Sequence, residues 1–201
     1  MKKIIIILLV GVVCWYMWGS KKPAIKNIGN AGSVIVAFGD SLTYGYGASH
    51  QEQSYPALLT KSLNREVINL GRNGETAIHA VTRVQEALEY EPYMVLLEFG
   101  ANDFMQSLSF EQTISAMEQM VDAVQAAGAV AVVVDTGGTP LMSRYSKAYK
   151  KIAQEKGAVF VPGILDGIFG RKGLMSDQIH PNATGYKMVA DKIEKSLQPY
   201  L

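Results

Sequence analysis

The sequence predicts an α/β fold in which a five-stranded parallel sheet is covered by helices on both faces. Five short apolar runs suit buried strands, and they lie at residues 34–38, 66–70, 93–99, 130–135 and 158–161. Segments with helical spacing of apolar residues lie between these runs and after the last one. Strands that alternate with helices favour a parallel sheet with right-handed crossovers.

The helical segments are recognised by apolar residues that recur every three or four positions. Four of them are predicted at residues 55–64, 76–89, 110–127 and 144–156. Gly128 follows the third segment and supplies a stop. A closing helix is predicted by apolar residues that step by 3, 4 and 4 at Tyr186, Val189, Ile193 and Leu197.

Composition and charge predict one globular domain, which we expect to span residues 33–201. The chain has 201 residues, of which 48% are hydrophobic, and this suffices for a single core. Residues 1–22 hold four of the 19 lysines and arginines and none of the 18 acidic residues, so the remainder carries a formal charge of −3. This mildly acidic body gives no support for a nucleic-acid partner.

Residues 1–22 predict a membrane anchor or a signal segment rather than part of the fold. Two lysines precede sixteen uncharged and mostly apolar residues at 4–19, and two more lysines follow. The length is marginal for a bilayer span, and small residues do not align into a signal-cleavage site. We therefore expect an uncleaved single-pass anchor in the cell membrane with the domain outside the cytoplasm. A periplasmic or secreted protein, released by cleavage, is the alternative.

Residues 23–32 are predicted to form a linker, because they lie within the stretch at 19–33, in which glycine, serine, lysine, asparagine and proline predominate. The single cysteine of the chain, Cys14, lies within the apolar segment before it. A disulfide within one chain is therefore excluded.

The stretch GDSLTYG, which follows the first apolar run, places Ser41 where a parallel sheet carries its functional sites, outside the carboxyl end of a strand. A serine hydroxyl needs a base before it can act as a nucleophile. Of the three histidines, only His180 has a carboxylate, Asp177, one turn earlier, and Pro181 behind it disfavours the α conformation. These three side chains are the candidates for nucleophile, base and orienting acid.

The same reaction needs hydrogen-bond donors for the oxygen that gains negative charge. The backbone N–H of Ser41, the backbone N–H of Gly74 in NGET and the side-chain amide of Asn102 in GAND are candidates. Each motif taken singly is also explained by a turn or a helix cap. Asp40, the neighbour of the serine, is expected to accept backbone N–H bonds within its loop rather than to orient the base.

The four stretches FGDSLTYGYG, NGET, GAND and DQIHPN resemble the four sequence blocks of the GDSL, or SGNH, hydrolase family, and the resemblance covers residues 33–199. The chain is most similar to the branch of bacterial arylesterases, acyl-CoA thioesterases and lysophospholipases. The resemblance implies a flavodoxin-like three-layer α/β/α sandwich, a triad of Ser41, His180 and Asp177, and an oxyanion hole formed by Ser41, Gly74 and Asn102. It implies no cofactor and no metal.

We therefore expect a serine esterase that hydrolyses carboxylic esters or thioesters, such as aryl esters, acyl thioesters or lysophospholipids, through an acyl-enzyme. The alternatives are a carbohydrate O-acetyl esterase that acts on exported polysaccharide and a catalytically inactive, membrane-anchored binding protein. The expected partners are a small ester or lipid-like substrate and, through residues 4–19, a membrane. Apolar residues near the loops are candidates for the acyl site, although core packing explains each of them equally well: Leu42, Phe104, Met105, Ile164, Leu165, Met175 and Ile179.

Overall fold

A five-stranded parallel sheet forms the centre of the protein in the computed structural model, which describes residues 24–201. The strand order is β2-β1-β3-β4-β5. Each predicted strand is found, with its ends moved by no more than one residue. The strands are β1 (Ile35–Gly39), β2 (Val67–Asn69), β3 (Met94–Glu98), β4 (Val130–Val134) and β5 (Val159–Val161).

Helices cover both faces of this sheet, which confirms the predicted three-layer α/β/α architecture. Alternate residues along the strands point to opposite faces, so each strand contributes to two separate cores. The helices are α1 (Ser41–Tyr44), α2 (Tyr55–Leu63), α3 (Ala77–Ala80), α4 (Val84–Leu88), α5 (Ala101–Met105), α6 (Phe110–Ala126), α7 (Ser143–Lys156) and α8 (Ala183–Leu197). Helices α3, α4, α6 and α7 pack on one face, and α2 and α8 pack on the other.

The segment at residues 76–89, predicted as one helix, is divided in the structure. Helix α3 passes through a 3₁₀ turn, Val81–Arg83, before α4 begins. Arg83 has φ −117° and ψ 12°, which lie outside the helical range. Its guanidinium turns inward, where Nη2 donates to the Leu70 carbonyl at 3.1 Å and pairs with the Glu75 carboxylate. Tertiary pairing of a buried arginine thus overrides the local apolar pattern.

The predicted membrane segment at residues 1–22 lies outside the described residues, and both the anchor and the cell location stay predictions. Within residues 24–201 no helix combines the length and the apolar character that a bilayer crossing requires.

The part of the predicted linker that the structure describes lies against the amino ends of the strands. The Asn27 side chain donates to the carbonyls of Gln125 and Ala129, both at 2.9 Å, and Ala129 directly precedes β4. The Asn30 side chain donates at 3.0 Å to the carbonyl of Tyr93, which directly precedes β3. These bonds hold the segment at the end of the sheet where the strands begin, opposite to their carboxyl ends.

At the carboxyl edge, Gly71 allows the loop after β2 to lie directly on the backbone of α1. A Cβ atom at this position would lie much closer to the Tyr44 backbone nitrogen than van der Waals contact allows. The loop is bonded in place, because Arg72 N donates to the Gly39 carbonyl at 3.0 Å. This close approach joins the loop after β2 to the loop after β1.

We expect Gly71→Ala to lower the free energy of unfolding by about 2–3 kcal/mol, because backbone rather than a flexible side chain must move to admit the methyl group. Gly173→Ala is the matched control, since a Cβ there meets no atom within 4 Å, and it should change stability by less than about 0.5 kcal/mol. Urea denaturation followed by circular dichroism compares the two variants. Equal midpoints would contradict the close approach.

Candidate active site

Ser41 stands just beyond the carboxyl end of β1, as the first residue of the short helix α1. The helix is fixed at its start by Asp40, whose Oδ1 accepts the Leu42 N–H at 2.9 Å, and at its end by Gly45, whose φ of 91° requires a residue without a Cβ. The predicted role of Asp40 as an acceptor of backbone N–H bonds is confirmed. As the first helical residue, Ser41 leaves its own N–H without an acceptor inside the helix.

The structure brings Ser41, His180 and Asp177 into one chain of hydrogen bonds. Ser41 Oγ lies 3.0 Å from His180 Nε2, and His180 Nδ1 lies 2.8 Å from Asp177 Oδ2. Immediately after the histidine, Asn182 Oδ1 accepts the Gly185 N–H at 3.0 Å and begins helix α8. In this geometry Nε2 can take the serine proton while the carboxylate holds Nδ1–H and stabilises the imidazolium.

Asp177 is held by backbone hydrogen bonds as well as by the imidazole. Its Oδ1 accepts the backbone N–H groups of Ile179 and His180, both at 2.8 Å. Partial burial acts to raise the pKa of Asp177, but the hydrogen bonds from the His180 ring and from these two N–H groups outweigh it and lower the pKa below its usual range. The carboxylate therefore stays charged opposite the base.

Tyr46 packs on the imidazole, a contact that sequence reasoning missed. The ring centroids of Tyr46 and His180 are 4.6 Å apart, with the rings tilted by 50°. The tyrosine backbone is anchored twice, because its N–H donates to the Ser41 carbonyl at 2.9 Å and its carbonyl accepts the Tyr186 hydroxyl at 2.7 Å. One side of the base is thus covered by an aromatic ring that belongs to the serine loop.

Asn102, in the first turn of α5, reaches the site with its side-chain amide. Its Nδ2 donates to Asp40 Oδ2 at 3.0 Å and to the Glu75 carbonyl at 2.9 Å. Gly74 precedes Glu75 in an exposed turn with φ 75°, and its carbonyl accepts from the Gln106 side chain at 3.5 Å. Among the described residues, Asn102 lines the cavity at Ser41 and Gly74 does not.

Two buried polar contacts hold the loop that carries Gly74 and Glu75. The Glu75 carboxylate pairs with Arg83, and the side chains of both are about one-tenth exposed or less. The Asp103 carboxylate accepts the Ala77 N–H at 2.8 Å and the Thr113 hydroxyl at 3.1 Å, so it fastens the start of α3 to α5. Burial of a charge without a partner is costly, so these contacts give the loop one preferred position.

A cavity of about 240 Å³ opens beside Ser41 and has largely apolar walls. Five of the residues predicted for the acyl site line it: Leu42, Phe104, Met105, Leu165 and Ile179. Ile164 and Met175 do not, since Ile164 is fully buried in the core between the sheet and α8, and Met175 packs against the same core.

Sequence reasoning missed the wall of the cavity that follows β4. The segment from Thr136 to Met142 contributes several lining residues, and Phe169 adds an aromatic ring. The signal available in the sequence was the position of DTGGTP directly after the fourth apolar run, without an assigned role. Within residues 24–201, no group of three or more His, Cys, Asp or Glu side chains is placed to hold a metal ion.

A serine bonded to a histidine and, through it, to an aspartate at the carboxyl edge of a parallel sheet defines the class of serine hydrolases. Residues 37–188 match the GDSL-like lipase/acylhydrolase family, and the chain belongs to that family. It is therefore an ester-hydrolysing enzyme, and the alternative of a catalytically inactive binding protein is not favoured.

Known proteins similar to this chain agree with that assignment. Thioesterase 1/protease 1/lysophospholipase L1 of Escherichia coli K12 is 29% identical over 178 residues, which cover 84% of this chain and 85% of that protein. The crystal structure of TesA superposes with a TM-score of 0.78 at 26% identity and covers 84% of this chain and 99% of that one. The esterase EstA from Pseudoalteromonas sp. gives a TM-score of 0.73 at 28% identity, with 84% and 98% covered.

We expect Asp177→Asn to lower kcat for a p-nitrophenyl ester roughly 10²-fold, less than the ~10⁴-fold of a buried triad acid, since solvent screens this exposed carboxylate. Asp191→Asn is the matched control, because Asp191 is an exposed carboxylate of α8 that pairs with Lys187. Steady-state kinetics at neutral pH compares the two. An equal effect of both substitutions would contradict a role of Asp177 in orienting the base.

Proposed function

We propose that this enzyme hydrolyses esters or thioesters of medium-length acyl chains through an acyl-enzyme on Ser41. The observation that carries the proposal is the 3.0 Å contact between Ser41 Oγ and His180 Nε2 at the mouth of an apolar cavity. The contact supplies an activated nucleophile, and the cavity supplies a place for a hydrocarbon chain beside it.

In the proposed reaction, Ser41 Oγ attacks the ester carbonyl carbon while His180 Nε2 accepts its proton. The resulting oxyanion accepts hydrogen bonds from the Ser41 backbone N–H and the Asn102 amide, both of which line the cavity, and Gly74 stays a predicted third donor. His180 then gives the proton to the leaving alcohol or thiol, and the carbonyl reforms as the acyl-enzyme. Water, deprotonated by the same imidazole, repeats the sequence and releases the acid.

Known relatives support this chemistry. The name of the Escherichia coli protein joins thioesterase and lysophospholipase, which share an acyl carbonyl attached to an alcohol or thiol leaving group. The EstA structure is of a form inhibited by monoethylphosphonate. A phosphonyl group is tetrahedral, as is the intermediate that follows attack on an ester, so we expect Ser41 to react with reagents of this class.

The cavity walls favour an acyl chain longer than acetyl. Leu42, Met105, Leu141, Leu165 and Phe169 present hydrocarbon or aromatic surface beside the serine. An acetyl group would leave most of this surface in contact with water, whereas each buried methylene contributes about 0.8 kcal/mol to binding. For this reason the carbohydrate O-acetyl esterase is the less favoured alternative.

A fluorophosphonate probe tests the nucleophile. We expect stoichiometric labelling of the folded protein and at least a roughly 10³-fold loss of esterase activity with complete loss of labelling in Ser41→Ala. Ser115→Ala, at an exposed position of α6, is the control and should keep both. Intact-mass spectrometry measures the label, and labelling that persists in Ser41→Ala would overturn the assignment.

A series of p-nitrophenyl esters tests the acyl preference. We expect kcat/KM to rise from acetate through butyrate to octanoate. Leu141→Ala should lower kcat/KM for octanoate about five-fold, because contact with the chain is lost, and should change the value for acetate less. A maximum at acetate with no effect of Leu141→Ala would favour the O-acetyl esterase instead.

A further inference from the structure

Two buried carboxyl groups lie directly behind Ser41, and the reaction described above uses neither. Asp40 is 1% exposed and Glu98 is 0% exposed. Glu98 ends β3, and Asp40 directly follows β1, its neighbour in the sheet. The Asp40 N–H donates to the Glu98 carbonyl at 3.2 Å, and each of the two carboxyl groups acts on the pKa of the other.

The partners that surround this pair are electrically neutral. Asp40 accepts from the Leu42 N–H at 2.9 Å and from Asn102 Nδ2 at 3.0 Å. Glu98 accepts from the hydroxyls of Thr43 at 3.1 Å and Thr136 at 3.3 Å. Each carboxyl group therefore receives two hydrogen bonds from donors without charge.

Within residues 24–201, no lysine, arginine or histidine donates a hydrogen bond to either carboxyl group. The Tyr55 hydroxyl, on α2, reaches the pair only through Thr43 Oγ1, at 2.8 Å. Within the described part of the chain, the titratable groups that interact with the pair include one residue each from α2, α5, α7 and α8, and none of these four is a cation: Tyr55, Asp103, Tyr149 and Tyr186.

Charging both of two neighbouring buried carboxyl groups that receive hydrogen bonds only from neutral donors is costly, because desolvation and mutual repulsion both favour a proton. Burial, followed by the charge of Glu98, raises the pKa of Asp40 well above its usual range. Burial also raises the pKa of Glu98, but the hydrogen bonds from Asp40 and the threonines oppose that rise. These directions favour Asp40 over Glu98 as the group that carries the proton.

We propose that Asp40 and Glu98 hold a single proton between them, that it resides on Asp40, and that neutral Asp40 positions Asn102 as an oxyanion donor. The inference rests on the proposed function, since it concerns the oxyanion hole of that reaction. Asp40 and Glu98 act through Asn102 and are positioning residues.

The proton matters because both N–H groups of the Asn102 amide are engaged, one by Asp40 Oδ2 and the other by the Glu75 carbonyl. To donate a hydrogen bond to an oxyanion, the amide must share one of these two hydrogens with it. A neutral carboxyl group accepts a weaker hydrogen bond than a carboxylate does, so it gives up part of that hydrogen at lower cost. An ionised Asp40 would hold the amide more firmly and would also repel the negative charge that forms on the substrate.

The dependence on pH follows from the direction of the pKa shift. Since the pKa of Asp40 is raised in the folded enzyme, the pair keeps its proton to a higher pH than an ordinary carboxyl group does, and loses it as the pH rises through the raised pKa. The unfolded chain loses this proton at a lower pH, so the stability associated with the protonated group falls as the pH rises from the ordinary aspartate pKa to the raised pKa of the folded enzyme. We therefore expect kcat to fall on the alkaline side because the oxyanion hole acquires a second negative charge.

Two substitutions that hardly change the shape of the side chain leave the single negative charge on different members of the pair. Asp40→Asn leaves the charge on Glu98, as in the proposed native state, but gives up one of the two hydrogen bonds that Asp40 accepts, because an amide has a single acceptor oxygen. Glu98→Gln leaves it on Asp40, beside Asn102. We expect kcat of E98Q to fall roughly ten-fold further than kcat of D40N, part of the ~10²–10³-fold effect of an oxyanion donor, with similar KM for both. D40N should also lose the alkaline decline of kcat that the pair causes.

Urea midpoints of both variants separate this effect from a loss of folding, and kinetics are compared for the folded fraction. If E98Q is as active as D40N, or more active, the proton does not reside on Asp40 and the proposal fails. It fails equally if the alkaline limb of the kcat profile is the same in D40N and in the unsubstituted enzyme.

Infrared spectroscopy of the unsubstituted enzyme supplies a readout that needs no substrate. At neutral pH we expect the C=O stretching band of a protonated carboxylic acid, and we expect D40N to abolish it. Absence of this band would overturn the shared proton even in an active esterase. If the band is present but Ser41 carries no esterase activity, the proposed function fails and the proton assignment stands.

Discussion

The pairing of β1 with β3 is the interaction on which the whole site depends. In this register Gly39 lies opposite Glu98, so the loop that carries Ser41 and the loop that carries Asn102 leave the sheet side by side. Ser41 and Asn102 are more than sixty residues apart in the chain, and this parallel ladder, together with the bond from Asn102 to Asp40, sets their spacing. Gly39 is required there, because a Cβ would collide with Thr43 and with the Glu98 carbonyl.

Much of the fold and the reacting groups could be predicted from the sequence. Buried parallel strands are continuous apolar runs, and a serine nucleophile needs an imidazole and a carboxylate, so Ser41, His180 and Asp177 could be chosen by residue type and position. The division of the helix at Arg83 and the contact of Tyr46 with the base could not, because both depend on groups brought together by tertiary packing. The cavity wall after β4 could not be predicted for the same reason. Its residues have no reactive side chains, and they contribute only surface to the cavity.

Polar burial in this enzyme is concentrated behind the reacting atoms rather than spread through the core. The Arg83–Glu75 pair fixes the loop beside Asn102, the Asp103 carboxylate fastens α3 to α5, and the Asp40–Glu98 pair lies under the serine loop. Apolar packing of equal volume would be at least as stabilising in such places. These contacts lie next to Ser41 and Asn102, which indicates that they orient the two loops that carry these residues. A nondirectional apolar contact could not do so.

The segment held by Asn27 and Asn30 has a consequence for how the enzyme is presented to its surroundings. It lies against the amino ends of β3 and β4, whereas the cavity opens at the carboxyl ends of the strands. The sheet therefore separates the point where residue 24 leaves the domain from the mouth of the cavity. A tag or a surface joined directly at residue 24 would lie at the amino ends of the strands, and the substrate entrance would face away from it.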